Sequence, residues 1–150
     1  APCQPGREIE MAQARHAALA VTDPDTLTPG ISRIAIGTAP DGTPLTLISA
    51  LSAHHRALTA SPACAIMLGE PGAKGDPLTH PRLMIQCHAA FIDRSDPARA
   101  ALRASWLQSH PKAKLYIDFA DFTFVRLAPV SALLNAGFGK AFRLAPTDLA

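Results

Sequence analysis

The sequence predicts a mainly β, α+β domain: a small closed or split antiparallel barrel with helices at its margins. Three observations carry this. About six or seven short runs of strand character recur along the chain, mostly joined by short links. Ser32–Thr38 and Leu45–Ser49 flank Pro40-Asp41-Gly42, a turn signal that demands antiparallel pairing. Helical stretches do not alternate regularly with strands, which argues against a doubly wound parallel sheet.

Taken in order, Arg7–Ala20 is Ala-rich and suits a first helix, although Ala17–Thr22 also suits a strand. Residues 1–13 are expected to form an N-terminal segment or helix, and residues 14–150 a single domain. Asp23–Gly30, with two Pro and a Gly, is a loop. Ser32–Thr38 is a strand with Ile34 and Ile36 on one face and Arg33 on the other, and Leu45–Ser49 is its returning partner. Ser52 then caps a short helix, Ala53–Ala60, which Ser61-Pro62 ends. Cys64–Leu68 is continuously apolar, as a strand buried on both faces would be. Glu70–Pro81 is a long Pro- and Gly-rich loop. Arg82–Ile92 alternates, with Leu83, Ile85, Cys87, Ala89 and Phe91 facing one way and Gln86 and His88 the other. Asp96-Pro97 opens a helix to about Ser109, with Leu102 and Trp106 one turn apart. Lys112–Ile117 suits a further short helix, and Phe122–Leu127 and Phe138–Leu144 the last two strands.

Composition excludes several classes. With 150 residues, 48% of them hydrophobic, the chain can bury a core without disulfide or metal staples. The net charge of +2 is too small for a nucleic-acid partner, and no apolar run reaches a membrane span. Cys64 and Cys87 lie in apolar runs and read as buried free thiols, which fits a cytoplasmic protein. The first residues lack the charged and apolar regions of a signal peptide.

The strongest chemical signal is the corner Ser49–Arg56. A helix N-terminus carries roughly half a positive charge and normally attracts acids. Here His54, His55 and Arg56 occupy the first turn, beside the Ser49 and Ser52 hydroxyls. Such a gathering suits a bound anion, phosphate above all, or else a solvated polar corner. In a simple hairpin register Arg33 reaches the same end of the sheet as Ser49 and adds a bidentate donor. Asp76–Arg82 could aim Arg82 into a site, or merely protect a sheet edge. Lys140, in Gly137–Ala141, could add a charge near a ligand. No HxH, HExxH, CxxC, Gly-x-Ser-x-Gly or Walker pattern is present, so no protein metal site and no nucleophilic triad are expected.

These residues form an ordered series: Ser32-Arg33-Ile34-Ala35, Leu47–His54, Ser61-Pro62, Asp76–Leu83, His110–Tyr116, Phe119–Phe122 and Gly137–Ala141. The series resembles the FMN-binding split-barrel proteins related to pyridoxamine 5′-phosphate oxidase, and is most similar to their haem-utilisation branch. The resemblance implies a six-stranded antiparallel Greek-key barrel that forms a homodimer. FMN would lie in the groove between subunits and serve an oxidoreductase acting on a small molecule. It implies Ser32, Arg33, Ser49, Ser52, His54, Arg56, Arg82 and Lys140 as cofactor-binding residues, with no assigned catalytic residue. Where the oxidase carries an Arg-Lys pair, this chain carries Ala53-His54, and the oxidase's C-terminal pyridoxal-phosphate motif is not recognisable, so vitamin B6 oxidation is not expected. The alternatives are a haem-binding carrier, with His54 and His88 as the histidines of interest, and a cofactor-free dimeric binding module.

Overall fold

A computed structural model of the chain describes residues 11–137 and 139–149. Among these, eight strands form one antiparallel sheet that curls into a split barrel. They are β1 (His16–Thr22), β2 (Pro29–Ala35), β3 (Gly37–Thr38), β4 (Pro44–Ser49), β5 (Ala63–Leu68), β6 (Arg82–Phe91), β7 (Phe122–Asn135) and β8 (Ala141–Leu144). Their order is β2-β1-β5-β6-β7-β4-β3, with β8 beside the second half of β7. Six of them span six residues or more, as the split barrel requires; β3 and β8 are short additions. The described residues also form two α-helices, α1 (Ala53–Ala60) and α2 (Arg99–Ser109).

The inner face of the sheet holds the main core, in which Leu19, Ile66, Ile85, Val125, Leu127 and Leu134 are sealed from solvent. α1 closes one end of it with Leu58. Each such side chain stabilises the fold by about 1.5–3 kcal/mol. A second core lies on the outer face, over β3, β4 and the first half of β7. There Trp106 and Leu102 of α2 pack on Leu45, Leu47 and Phe124. Gly37 lies directly under the indole; a Cβ at this position would meet the Trp106 ring at 3.0 Å.

Several expectations are corrected. The described part of the expected helix Arg7–Ala20 is a single 3-10 turn, Met11–Gln13, followed by β1; residues 7–10 lie outside the described residues. Alternating burial along β1, with Ala17 and Leu19 inward, overrides the helical propensity of alanine. The hairpin is also smaller than expected. Only Gly37 and Thr38 pair with β4, while Pro29–Ala35 pairs along its whole length with β1. β5 is buried on one face only: Ile66 and Leu68 point inward, whereas Met67 is 47% exposed. α2 starts at Arg99, because the Asp96 carboxylate accepts from the Ala98 amide and closes a separate turn first. The stretch expected as a helix at Lys112–Ile117 is a 3-10 helix, Pro111–Leu115. β8 starts at Ala141, and Phe138, expected to open that strand, lies outside the described residues.

β7 is the largest departure, running to Asn135 rather than stopping at Leu127. Pro129 argues against a continuing strand because proline cannot donate to a ladder. The chain resolves this with a register shift: Gln86 pairs with Ser131 and Cys87 with Pro129, leaving Val130 as the extra, bulged residue.

Candidate functional site

The predicted corner at α1 is present, and most of its polar groups are already engaged. The Ser52 hydroxyl accepts from the His55 amide and donates to the Ser49 carbonyl, which fixes the helix start. The Ser49 hydroxyl donates to the Asp121 carboxylate at 2.7 Å. The Arg56 guanidinium makes two 2.8 Å bonds to the two carboxylate oxygens of Asp25, in the loop between β1 and β2. That loop is itself ordered by Asp23, whose carboxylate accepts from the amides of Asp25 and Thr26. Arg56 holds the Asp25 carboxyl below the usual carboxylate range. His54 Nδ1 shares a 3.2 Å hydrogen bond with the Ser32 hydroxyl of β2. Burial, then the adjacent His55, push the His54 imidazole down, so it is neutral at pH 7.

Asp23, Ser32, His54 and Arg56 line a cleft of about 190 Å³ between α1 and the β1–β2 loop. Its charged groups are the Asp23 carboxylate and a guanidinium already bound to Asp25, and they stand beside a neutral imidazole. Among the described residues a phosphate dianion would find no uncommitted cation there, so the cleft they form does not fit a flavin phosphate.

The other expected residues are elsewhere. Arg33 sits on the outer face of β2, opposite Ser32, because successive residues of a strand alternate. The expected approach of Arg33 to Ser49 fails because β2 pairs with β1, whereas Ser49 pairs with Phe122 of β7. Arg82 opens β6, and its guanidinium donates to the carbonyls of Leu78 and His80. Lys140 is exposed in the turn between β7 and β8. Both lie at the far end of β6 from His55, whose ring contacts Phe91; ten residues of extended chain separate the ends by about 30 Å. The eight residues therefore form no single cluster within one protomer. Asp23 and Asp25, which decide the charge around the cleft, escape a reading of the sequence alone; their proximity to Ser32 across a tight β1–β2 loop is the signal that could have found them.

The second feature is the half of the outer sheet face that α2 leaves bare. Cross-strand neighbours run in rows there: Ile31, Ala20, Ala65 and Gln86, then Arg33, Ala18, Met67 and Met84. Ile31 is 76% exposed and Val130, at the bulge, 50%. Beside them an open trough of about 400 Å³ has a floor of Ala20, Ala63 and Ala65, an apolar side at Val130, and the exposed imidazole of His88. A floor of methyl groups on a sheet is nearly planar, so it suits a flat apolar ligand, and His88 offers a nitrogen donor beside it.

Comparison with known proteins fits this geometry. One solved structure is 46% identical, covers 93% of this chain and 89% of its own, and superposes with a TM-score of 0.81. The chain belongs to the split-barrel family related to pyridoxamine 5′-phosphate oxidase. Within that split-barrel family it falls with the haem-utilisation branch. A heme-binding protein from Mycobacterium smegmatis shares the fold, with a TM-score of 0.85 over 99% of this chain and 60% of that one, at 24% identity. The Non-canonical heme oxygenase HOZ, chloroplastic, of Arabidopsis thaliana is 33% identical over 102 residues, 68% of this chain. The chain spans 30% of the length of that curated relative. No protein-family model matches the chain.

Among the described residues no helix is long and apolar enough to cross a membrane. Nor do three or more His, Cys, Asp or Glu side chains gather there as a metal site. Cys64 and Cys87 face each other across β5 and β6 as free thiols, and burial pushes them up to about 11 and about 12.

Proposed function

We propose that this chain is a haem-binding protein of the haem-utilisation type, acting as a homodimer whose two bare sheet faces enclose the ligand. The observation that carries the reading is the alanine-floored trough with His88 at its side. It is supported by the relationship to a haem oxygenase at 33% identity. The trough fits the group: its small side chains would admit a flat ring beside Val130, and the His88 imidazole could ligate iron. Bound haem would supply the redox chemistry; the protein's part is to bind it, exclude water and fix its orientation. The bare face also supports the homodimer, since a contiguous apolar patch of this extent marks an interaction site. A cytoplasmic location belongs to the same reading, consistent with two free thiols.

The test is an absorption spectrum of the purified protein titrated with haemin. A shifted Soret band that survives gel filtration is expected, and His88→Ala should lose or move it, whereas His54→Ala should not. A Soret band indifferent to His88→Ala removes the assigned ligand.

A second reading is an FMN-dependent oxidoreductase acting on a small molecule. It is favoured by the start of α1, which carries no acidic residue in its first turn. It requires Arg56 to leave Asp25, or a second subunit to bring Arg33, Arg82 or Lys140 to the phosphate. Flavin bands retained through gel filtration in place of a Soret band would select it. If neither ligand is retained, a cofactor-free dimeric module becomes the leading reading.

A further inference from the structure

The loop between β5 and β6 is gathered around one side chain. Its single turn of 3-10 helix, Pro77–Thr79, buries no residue, and Leu78 is 69% exposed. Without an apolar anchor, polar contacts hold such a segment in place. His80 supplies two of them. Its Nδ1 accepts from the Gly72 amide, and its Nε2 donates to the Lys74 carbonyl at 2.6 Å. One imidazole thereby draws in residues eight and six positions before it. The fit is close: a Cβ at Gly72 would meet the ring's Cε1 at 2.8 Å and push it off both partners.

Histidine has two neutral tautomers, and here the partners fix the choice. An amide N–H only donates, so Nδ1 is bare; a carbonyl only accepts, so Nε2 carries the hydrogen. A second proton would go to Nδ1 and point at the Gly72 N–H. Donor would then face donor, and the bond to Gly72 would be lost. The described charged groups nearby do not replace it. On the loop, the Asp76 carboxylate accepts from the Leu78 amide, and Lys74 is exposed. From β6, the Arg82 guanidinium donates to the carbonyls of Leu78 and His80. The β7–β8 turn, which carries Lys140, meets the loop where a Cβ at Gly137 would lie 3.4 Å from the Thr79 carbonyl. Glu70, at the loop's base, lies 3.7 Å from His16 of β1. Acid charges His16 and strengthens that pair, so the base is held while the ring lets go. The strand ends on either side are fixed as well: Leu68 and Leu83 are 2% and 1% exposed.

We propose that His80 is an acid-released latch: the neutral ring closes the loop between β5 and β6 on Gly72 and Lys74, and a second proton opens the loop while the barrel stays folded. Opening exposes the backbone around Lys74 and loosens the grip on Arg82 at the start of β6. The device is independent of the sheet face assigned to haem.

Two measurements on the full chain test it. Long-range proton–nitrogen NMR correlation of the imidazoles shows which ring nitrogen carries hydrogen; at about pH 7.5 His80 should have a bare Nδ1 and a protonated Nε2. Hydrogen exchange of the Gly72 amide, scaled to its intrinsic rate at each pH, should show protection that falls at least about tenfold between about pH 7.5 and 5.5, across the range in which histidines titrate. The amides of Ile66 and Ile85 in the barrel should keep theirs. His80→Asn retains a side-chain acceptor but nothing to protonate, and should abolish the pH dependence. Gly72→Ala should leave the residue-72 amide unprotected at both pH values. A ring protonated on Nδ1 at about pH 7.5, protection at Gly72 that ignores pH, or the same fall in His80→Asn overturns the proposal. So does a loss of protection that spreads to Ile66 and Ile85, which would be unfolding of the barrel.

Discussion

The outer face of this sheet is one continuous surface with two fates. Over β4 and the first half of β7 it is roofed by α2, and Leu45, Leu47 and Phe124 disappear beneath Trp106. Over β1, β2, β5 and the second half of β7 the same alternating pattern produces Ile31, Met67 and Val130, which face solvent. Strand patterning alone does not separate the halves, since both put apolar side chains outward. A helix separates them: α2 lies over one half, and no described helix lies over the other. The covered half carries Trp106 and Phe124, whereas the bare half sets a patch of alanines, Ala20, Ala63 and Ala65, among exposed aliphatic side chains, a contrast expected between a sealed core and a floor open to a flat ligand.

The roofed half depends most on Trp106, which is 2% exposed. Trp106→Ala should cost about 3–5 kcal/mol in denaturant unfolding, as a large core truncation does. A loss below about 1 kcal/mol would mean that the roofed half is no true core. Trp106→Phe should cost much less, since the indole N–H has no acceptor and its removal strands nothing.

A milder test sharpens the contrast from the bare side. Ile31→Ser combined with Met67→Ser should leave monomer stability within about 1 kcal/mol, because both side chains are substantially exposed. Self-association, measured by sedimentation, should weaken about tenfold, equivalent to ~1.4 kcal/mol. A large loss of stability with unchanged association would make the bare half a structural surface.

The smallest effect separates the inner cleft from the outer face. Burial and His55 hold His54 below the ordinary imidazole value of 6.5, so the folded protein binds that proton less readily than the unfolded chain. The resulting stability is present above pH 6.5 and is lost as pH falls through the lower folded value. His54→Gln should flatten the decline in Tm between about pH 7 and pH 5. An unchanged slope would place the pH response on other groups.

Much of this architecture is legible in local sequence. α1 and its Ser52 cap are readable because a capping hydroxyl, a helical octet and Ser61-Pro62 all agree, and the expected β4 and β6 match the structure within one residue at each end. The elements that differ depend on partners distant in sequence. Adjacency in the chain pairs Ser32–Thr38 with β4, yet most of that stretch pairs with β1, which is hidden inside an alanine-rich segment of helical propensity. The candidate site suffers more. Arg56 looks like a ligand for an anion, yet its anion is Asp25, 31 residues earlier. The trough is invisible in the sequence because alanines on two strands carry no motif; they become a floor only when pairing sets Ala20 opposite Ala65.

The bulge in β7 gives that strand two reading frames. Before it, odd-numbered residues such as Val125 and Leu127 face the core; after it, even-numbered ones such as Ala132 and Leu134 do. Val130 is the spacer between the frames. The same residues in unbroken alternation would turn Ser131 and Leu133 inward and Ala132 and Leu134 outward. Deleting Val130 would instead bring the frames into step, with Ala132 and Leu134 still facing the core. The core therefore has no need of this residue. Its extra length goes to the bare face, where it bends the strand and raises one wall of the trough.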